Sequence, residues 1–309
     1  MPMQKSPEEE RETIRSQVAK RPYGASVLVH VQTAGAFGQV ETKEIQLATG
    51  AFVTLGTARM APWDGGRKYS LKLEGFPTAA ATEAAARRLV QAVLWMAISS
   101  DAPLRLDYRS YDPFSVFERG RSDGLHVSAY GEVYFQPDMI FAEIENAYSK
   151  LADPDPRLLL SMEIFAGARL EASDRARFLA VVSALEPLAS EQYLGEDVDK
   201  FVSSCVELLK ATSGLRPEVR ASLEGRVRQL RGESIRQSLR RVVLSALPEE
   251  PEAAATIDEA YALRSQIIHS GRPADLDVDL ERACQSVSRI MRQIYASLLG
   301  RRLMKPPAV

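Results

Sequence analysis

The chain is predicted to be an α+β N-terminal domain, a small antiparallel sheet with a covering helix, followed by an all-α helical bundle. Three observations carry that prediction. Between residues 25 and 74 apolar and polar residues alternate, as they do in half-buried strands. Gly and Pro break that alternation into short runs, at Ala34-Gly35, Thr49-Gly50 and Pro62-Trp63-Asp64-Gly65-Gly66. After Ala152-Asp153-Pro154-Asp155-Pro156 the spacing of apolar residues becomes helical and stays so. The predicted domains are therefore 1–152 and 157–309.

Ser6-Pro7-Glu8-Glu9-Glu10 opens a first helix to about residue 20, with an N-cap, a proline at the first helical position and acids in the positive first turn. Strands are predicted over 25–33, 39–48, 51–59 and 68–74, the first marked by Val27, Val29 and Val31. A long alanine-rich helix over 78–98 would cover one face of the sheet, and strands return over 104–108 and 125–135 before a helix over 139–151. In the second half helices are predicted over 157–170, 174–188, 198–211, 217–247, 256–269 and 278–303. Their short connections, marked by Gly195, Gly214, Pro248 and Pro273, imply an antiparallel bundle.

Composition excludes several classes. The chain of 309 residues is 45% hydrophobic and 26% charged, an ordinary globular balance that can bury two cores. A net charge of −2 gives no global basicity. Cys205 and Cys284 do not have the spacing of a zinc site or a disulfide framework, and they fit a reducing compartment. The longest apolar run, 89–98, is too short to span a bilayer, and no hydrophobic signal core stands near residue 1. A cytoplasmic protein without membrane contact is the expectation.

Candidate binding residues in the first half are few. His30 lies on the opposite strand face from the valines, as an exposed residue or a ligand, and His126 is similar. Tyr108, Tyr111, Phe114 and Phe117, among Arg105, Arg109, Arg119 and Arg121, would either stack a nucleotide or pin a loop to the core. In the second half, residues 216–241 hold eight arginines against three glutamates, a local charge of +5. Arg228, Arg231, Arg236, Arg240 and Arg241 would form either a solvated, partly paired face or an electrostatic footprint for an RNA backbone. No aromatic interleaves them, which favours backbone contact over base stacking.

The sharpest signal lies in Tyr261-Ala262-Leu263-Arg264-Ser265-Gln266-Ile267-Ile268-His269-Ser270-Gly271. On a helix, Ile257, Tyr261, Arg264 and Ile268 share a line flanked by Ala260, Leu263 and Ile267. Arg264 thus stands on an apolar stripe, where a guanidinium needs a carboxylate, carbonyls, a second subunit or a bound anion. His269 comes about 140° further round, at the point where Gly271 and Pro273 would end the helix.

Arg264-x4-His269, inside this set of helices, resembles the Arg-x4–6-His motif of the HEPN superfamily, most closely its Apea-like branch. Two further stretches carry the resemblance. Residues 177–186, ending Ala184-Leu185-Glu186, are similar to that branch's second helix, and 234–244 to the helix before the motif. Ser265 stands where many members carry Asn or Asp. The resemblance covers roughly the C-terminal half and implies a HEPN-like bundle acting as a metal-independent, cofactor-free endoribonuclease. Its site would be shared between two protomers of a homodimer formed through the helical domain. In that reading Arg264 clamps phosphate, His269 is the general acid/base, Ser265 supports, and Glu186 holds Arg264. Toxin, phage-defence or RNA-processing roles, with a regulatory protein partner, belong to the same implication. So does the non-catalytic alternative, a module that binds nucleotide, RNA or a partner.

Overall fold

The computed structural model describes residues 21–31, 43–46, 52–57, 67–102, 104–106, 114–118, 137–150, 154–190, 192–275 and 277–304. Several sequence expectations fall outside them: the helix over 6–20, the strand over 125–135, Tyr108, Tyr111, Arg109, Arg119, Arg121, His126 and the side chain of His30. Contacts gather the chain into two compact units, Met1–Ala184 with Tyr295–Val309, and Leu185–Ile294. The division does not fall at the proline-rich segment near 152–156. The helix after that segment packs against the long helix and a strand of the first unit, so its apolar face is already spent there.

In the first unit, strands β1 (Tyr23–Val31), β2 (Lys43–Gln46), β3 (Phe52–Thr57), β4 (Arg67–Phe76), β5 (Arg105–Leu106) and β6 (Ser115–Glu118) form one sheet. Its order is β2-β3-β4-β1-β5, and β6 also pairs with β1; every pairing is antiparallel. The register puts Ala25 opposite Leu73 and Val27 opposite Leu71. All four are buried, so period-two alternation has directed one face inward. Gly24 pairs with Phe117, and a Cβ there would stand 2.6 Å from the Phe117 ring and 2.7 Å from the Leu73 carbonyl. Only glycine fits that approach. Of the aromatics expected either to stack a nucleotide or to pin a loop, Phe117 lies on β6 and Phe114, just before it, is buried.

Helix α1 (Ala79–Ser99) packs against β1 and β4 and is buried almost all round from Leu89 onward. Thr78 caps it, its hydroxyl accepting from the Ala81 amide at 3.2 Å. Against α1 pack α2 (Pro137–Lys150) and α3 (Pro156–Ala168), the latter followed by α4 (Asp174–Ser183). Tyr295 completes this core. Its ring meets Phe165 edge-on with centroids 5.5 Å apart. The Ser161 hydroxyl donates to the Ala184 carbonyl at 2.6 Å, so the Tyr295 hydroxyl donates to Ser161, at 2.7 Å.

The second unit is helical: α5 (Glu196–Ala211), α6 (Pro217–Gln229), α7 (Ile235–Ala246), α8 (Pro251–Ser270) and most of α9 (Leu280–Leu298). The helix expected over 217–247 is in fact two. Its break comes at Gly232 and Glu233, and Ser234 restarts the chain through a capping box with Gln237. The helix expected over 174–188 ends at Ser183, and Glu186–Leu188 forms a 3-10 turn. Pro187 lacks an amide for the α-helical ladder and disfavours the α conformation in the residue before it. Among the described residues no helix is long and apolar enough to cross a membrane.

Candidate active site

Helix α8 begins with Pro251 at its first turn and ends at Gly271, whose φ of 72° lies in the left-handed region. The Gly271 amide donates back to the Ile267 carbonyl at 2.9 Å. Gln266 Oε1 accepts the Ala274 amide at 3.1 Å, tying down the reversal that follows. Ala253, Ala254, Ile257, Ala260 and Ile267 are buried, and Arg264 sits on that same face. Ile268, expected on the apolar stripe, is exposed while Ile267 beside it is buried, so the packed face of the last turn is centred on Ile267.

The carboxylate that Arg264 requires is Glu186. Its 3-10 turn packs on α7, which in turn packs on α8. Arg264 Nη1 lies 2.9 Å from Glu186 Oε1, with side-chain exposures of 17% and 37%. The same oxygen accepts the Tyr261 hydroxyl at 3.3 Å, and the Arg264 guanidinium lies over the Tyr261 ring, 5.6 Å from its centroid. Burial, and then the Glu186 charge, push the Tyr261 phenol above its ordinary range, so it stays a neutral donor. These three side chains form one charge-matched cluster. Ser265 is half-buried, and His269, in the last turn, is exposed.

Most of the arginines proposed for RNA carry a carboxylate already. Arg228 bonds Glu224 at 2.6 Å, Arg231 pairs with Asp199 at 2.6 Å, and Arg241 bonds Glu233 at 3.0 Å and the Ser190 carbonyl at 2.6 Å. Arg236 grips Asp258 with two donors. That hydrogen bond, then the charges of Arg236 and exposed Arg240, hold the Asp258 carboxyl below its ordinary range. Glu224 and Glu233 are already counted in the local +5; Asp199 and Asp258, from other helices, lower it to +3, which a count along one segment cannot register. A depression of about 180 Å³ between α7 and α8 is lined by Arg236, Leu239, Arg240, Ala254, Ile257, Asp258 and Tyr261. That volume includes open solvent and encloses no water-sized space, so the depression is a surface dip and not a ligand pocket.

No family model, curated protein or solved structure matches the chain. The functional reading rests on the site itself. Sequence reasoning missed Tyr261 as a polar member of the cluster, having counted it as an apolar stripe residue. The signal was available: a tyrosine three residues before an arginine stands beside it on a helix, with its hydroxyl free to share the same carboxylate.

Proposed function

We propose that the protein is a metal-independent endoribonuclease of HEPN type, whose site is completed by a second copy of the chain. The observation that carries this reading is the Glu186–Arg264–Tyr261 cluster, followed on the same helix by exposed His269. A permanently charged, planar guanidinium held by a carboxylate suits the equatorial oxygens of a phosphodiester under attack. Histidine is the side chain whose ordinary pKa lets it take or give a proton near neutrality. In the composite site one His269 takes the 2′-hydroxyl proton. The 2′-oxygen then attacks phosphorus, and the 5′-oxygen leaves with a proton from the His269 of the second copy. The products are a 2′,3′-cyclic phosphate and a free 5′-hydroxyl.

The test is RNA cleavage by the purified full chain in the presence of a chelator, with end-group analysis of the products. His269→Ala is expected to lower cleavage by on the order of a hundredfold or more, while its circular dichroism and melting stay those of the parent. A parent chain that leaves RNA intact overturns the reading. A second reading is favoured by Ser265, which stands where many HEPN members carry Asn or Asp. In it the unit is a non-catalytic HEPN-type module that binds RNA or a partner without turnover. Binding without product, weakening steeply as salt rises, selects that one.

A further inference from the structure

Arg228, Arg231, Arg236 and Arg241 are held by carboxylates, whereas Arg240 makes no hydrogen bond or ion pair among the described residues. Its side chain is exposed, and its charge bears on Asp258, which Arg236 already grips. Two guanidinium groups thus stand against one carboxylate, and one positive charge is left over. Arg240 lines the dip between α7 and α8 together with Tyr261, the residue whose ring lies under the Arg264 guanidinium. The uncommitted cation therefore faces the helix that carries the candidate site.

Helix geometry puts His269 on the same side of α8. Asp258, Ser265 and His269 fall within about 40° of one line on an ideal helix. At Asp258 that line is turned towards α7, because Arg236 reaches across to it. Asp258 and His269 are about 16 Å apart along the axis, a span that about five stacked nucleotides cover. The opposite direction is unfavourable for a polyanion. Between the end of α8 and the start of α9 the chain carries Asp275, Asp277 and Asp279 against Arg272 alone. Charge therefore draws a strand away from His269 along α8, towards Arg240.

We propose that Arg240 binds a backbone phosphate of the RNA several nucleotides from the bond cut at His269. The strand runs along α8 from His269, past Ser265, to the dip between α7 and α8. The proposal rests on the nuclease reading for what happens at His269, and not for the binding itself. A guanidinium offers phosphate two parallel donors, and Arg240 breaks no existing bond to do so. Arg236 keeps the Asp258 carboxylate neutralised where the strand passes. A dinucleotide reaches His269 but not Arg240, so the contact serves longer strands alone.

The experiment is fluorescence anisotropy of the full chain with 2′-O-methyl RNA, which lacks the nucleophile, over a salt series. A dinucleotide is compared with an oligomer of about eight nucleotides. The parent should hold the oligomer more tightly. Arg240→Gln should weaken the oligomer by on the order of tenfold at low salt and reduce the salt slope by about 0.7. Dinucleotide binding, circular dichroism and melting should stay those of the parent. Arg240→Lys should recover most of the slope. Arg228→Gln, which removes a cation already paired with Glu224, should leave it unchanged. In cleavage of unmodified oligomer, Arg240→Gln should raise KM and leave kcat alone. The proposal is overturned if the parent does not bind the oligomer, if Arg240→Gln binds it as the parent does, or if Arg228→Gln weakens it equally. Binding that depends on Arg240 without any cleavage keeps the track and removes the nuclease reading. Cleavage indifferent to Arg240 does the reverse.

Discussion

Each unit of the molecule contains the same three-part device. In the first, Arg301 Nη2 lies 2.9 Å from Glu143 Oε1, the Trp95 indole donates to that oxygen at 2.6 Å, and the guanidinium lies 5.5 Å from the centre of the Trp95 ring. In the second, Arg264, Glu186 and Tyr261 repeat the pattern at 2.9, 3.3 and 5.6 Å. The aromatic supplies an apolar body for the cation and a polar tip for the carboxylate. The difference is water. Arg301 and Glu143 are 9% and 14% exposed, and Arg264 and Glu186 are 17% and 37%. An arginine on an apolar surface, paired to a glutamate beside an aromatic ring, is therefore first a way to bury a cation. What sets the second device apart is its more open carboxylate and the imidazole later on its helix.

The largest effect is predicted where water is most excluded. Arg301→Met leaves Glu143 charged and nearly enclosed, with the Trp95 indole as its remaining strong donor, and should cost about 3 kcal/mol of stability. Urea unfolding measures it. A loss below about 1 kcal/mol would mean that Glu143 finds other solvation, and the contrast between the two devices would be lost.

Arg264→Met should divide its effect differently. Glu186 can rehydrate, so the stability loss should be nearer 1 kcal/mol. RNA cleavage, where the nuclease reading holds, should fall by a hundredfold or more. The two variants together separate a cation kept for packing from one kept for a substrate. Equal stability losses, with no functional change at Arg264, would make the two devices the same device.

Much of this was legible in the residues. Alternation around Val27 located β1, the alanine-rich run over 78–98 located α1, and the placement of Arg264 on an apolar face called for a partner, which the HEPN resemblance put at Glu186. Other features were not, because they depend on segments far apart in the chain. Arg301 follows a helix end, where basic residues are ordinary; its meaning comes from Glu143 and Trp95, more than 150 residues earlier. Gly300, with φ of 60°, turns the chain there, and the Arg301 amide returns to the Ala296 carbonyl at 2.8 Å. Part of the charge of the arginine-rich stretch was hidden for the same reason, since Asp199 and Asp258, which take up two of its five excess charges, lie on other helices.

The smallest effect, and the finest probe of the comparison, is Tyr261→Phe. The ring stays under the guanidinium, and one hydrogen bond of 3.3 Å to a half-open carboxylate is lost. At pH 8 this should cost about 0.5 kcal/mol. The pH dependence carries a definite sign. Folding raises the Tyr261 phenol above its ordinary range, through burial first and the Glu186 charge second. A group raised in this way contributes its stability below the unfolded-state pKa, and that contribution is lost as pH climbs through the folded value. The parent should therefore lose stability faster than Tyr261→Phe above about pH 10, and the two unfolding curves should converge. Tyr295→Phe supplies the scale. Its phenol is fully buried and raised further, by burial alone, with the Ser161 hydrogen bond opposing. Removing it should flatten the alkaline limb more than removing Tyr261 does. Were Tyr261 to match Tyr295, its carboxylate would be as closed to water as the first unit's Glu143, and the opening that distinguishes the candidate site would not exist.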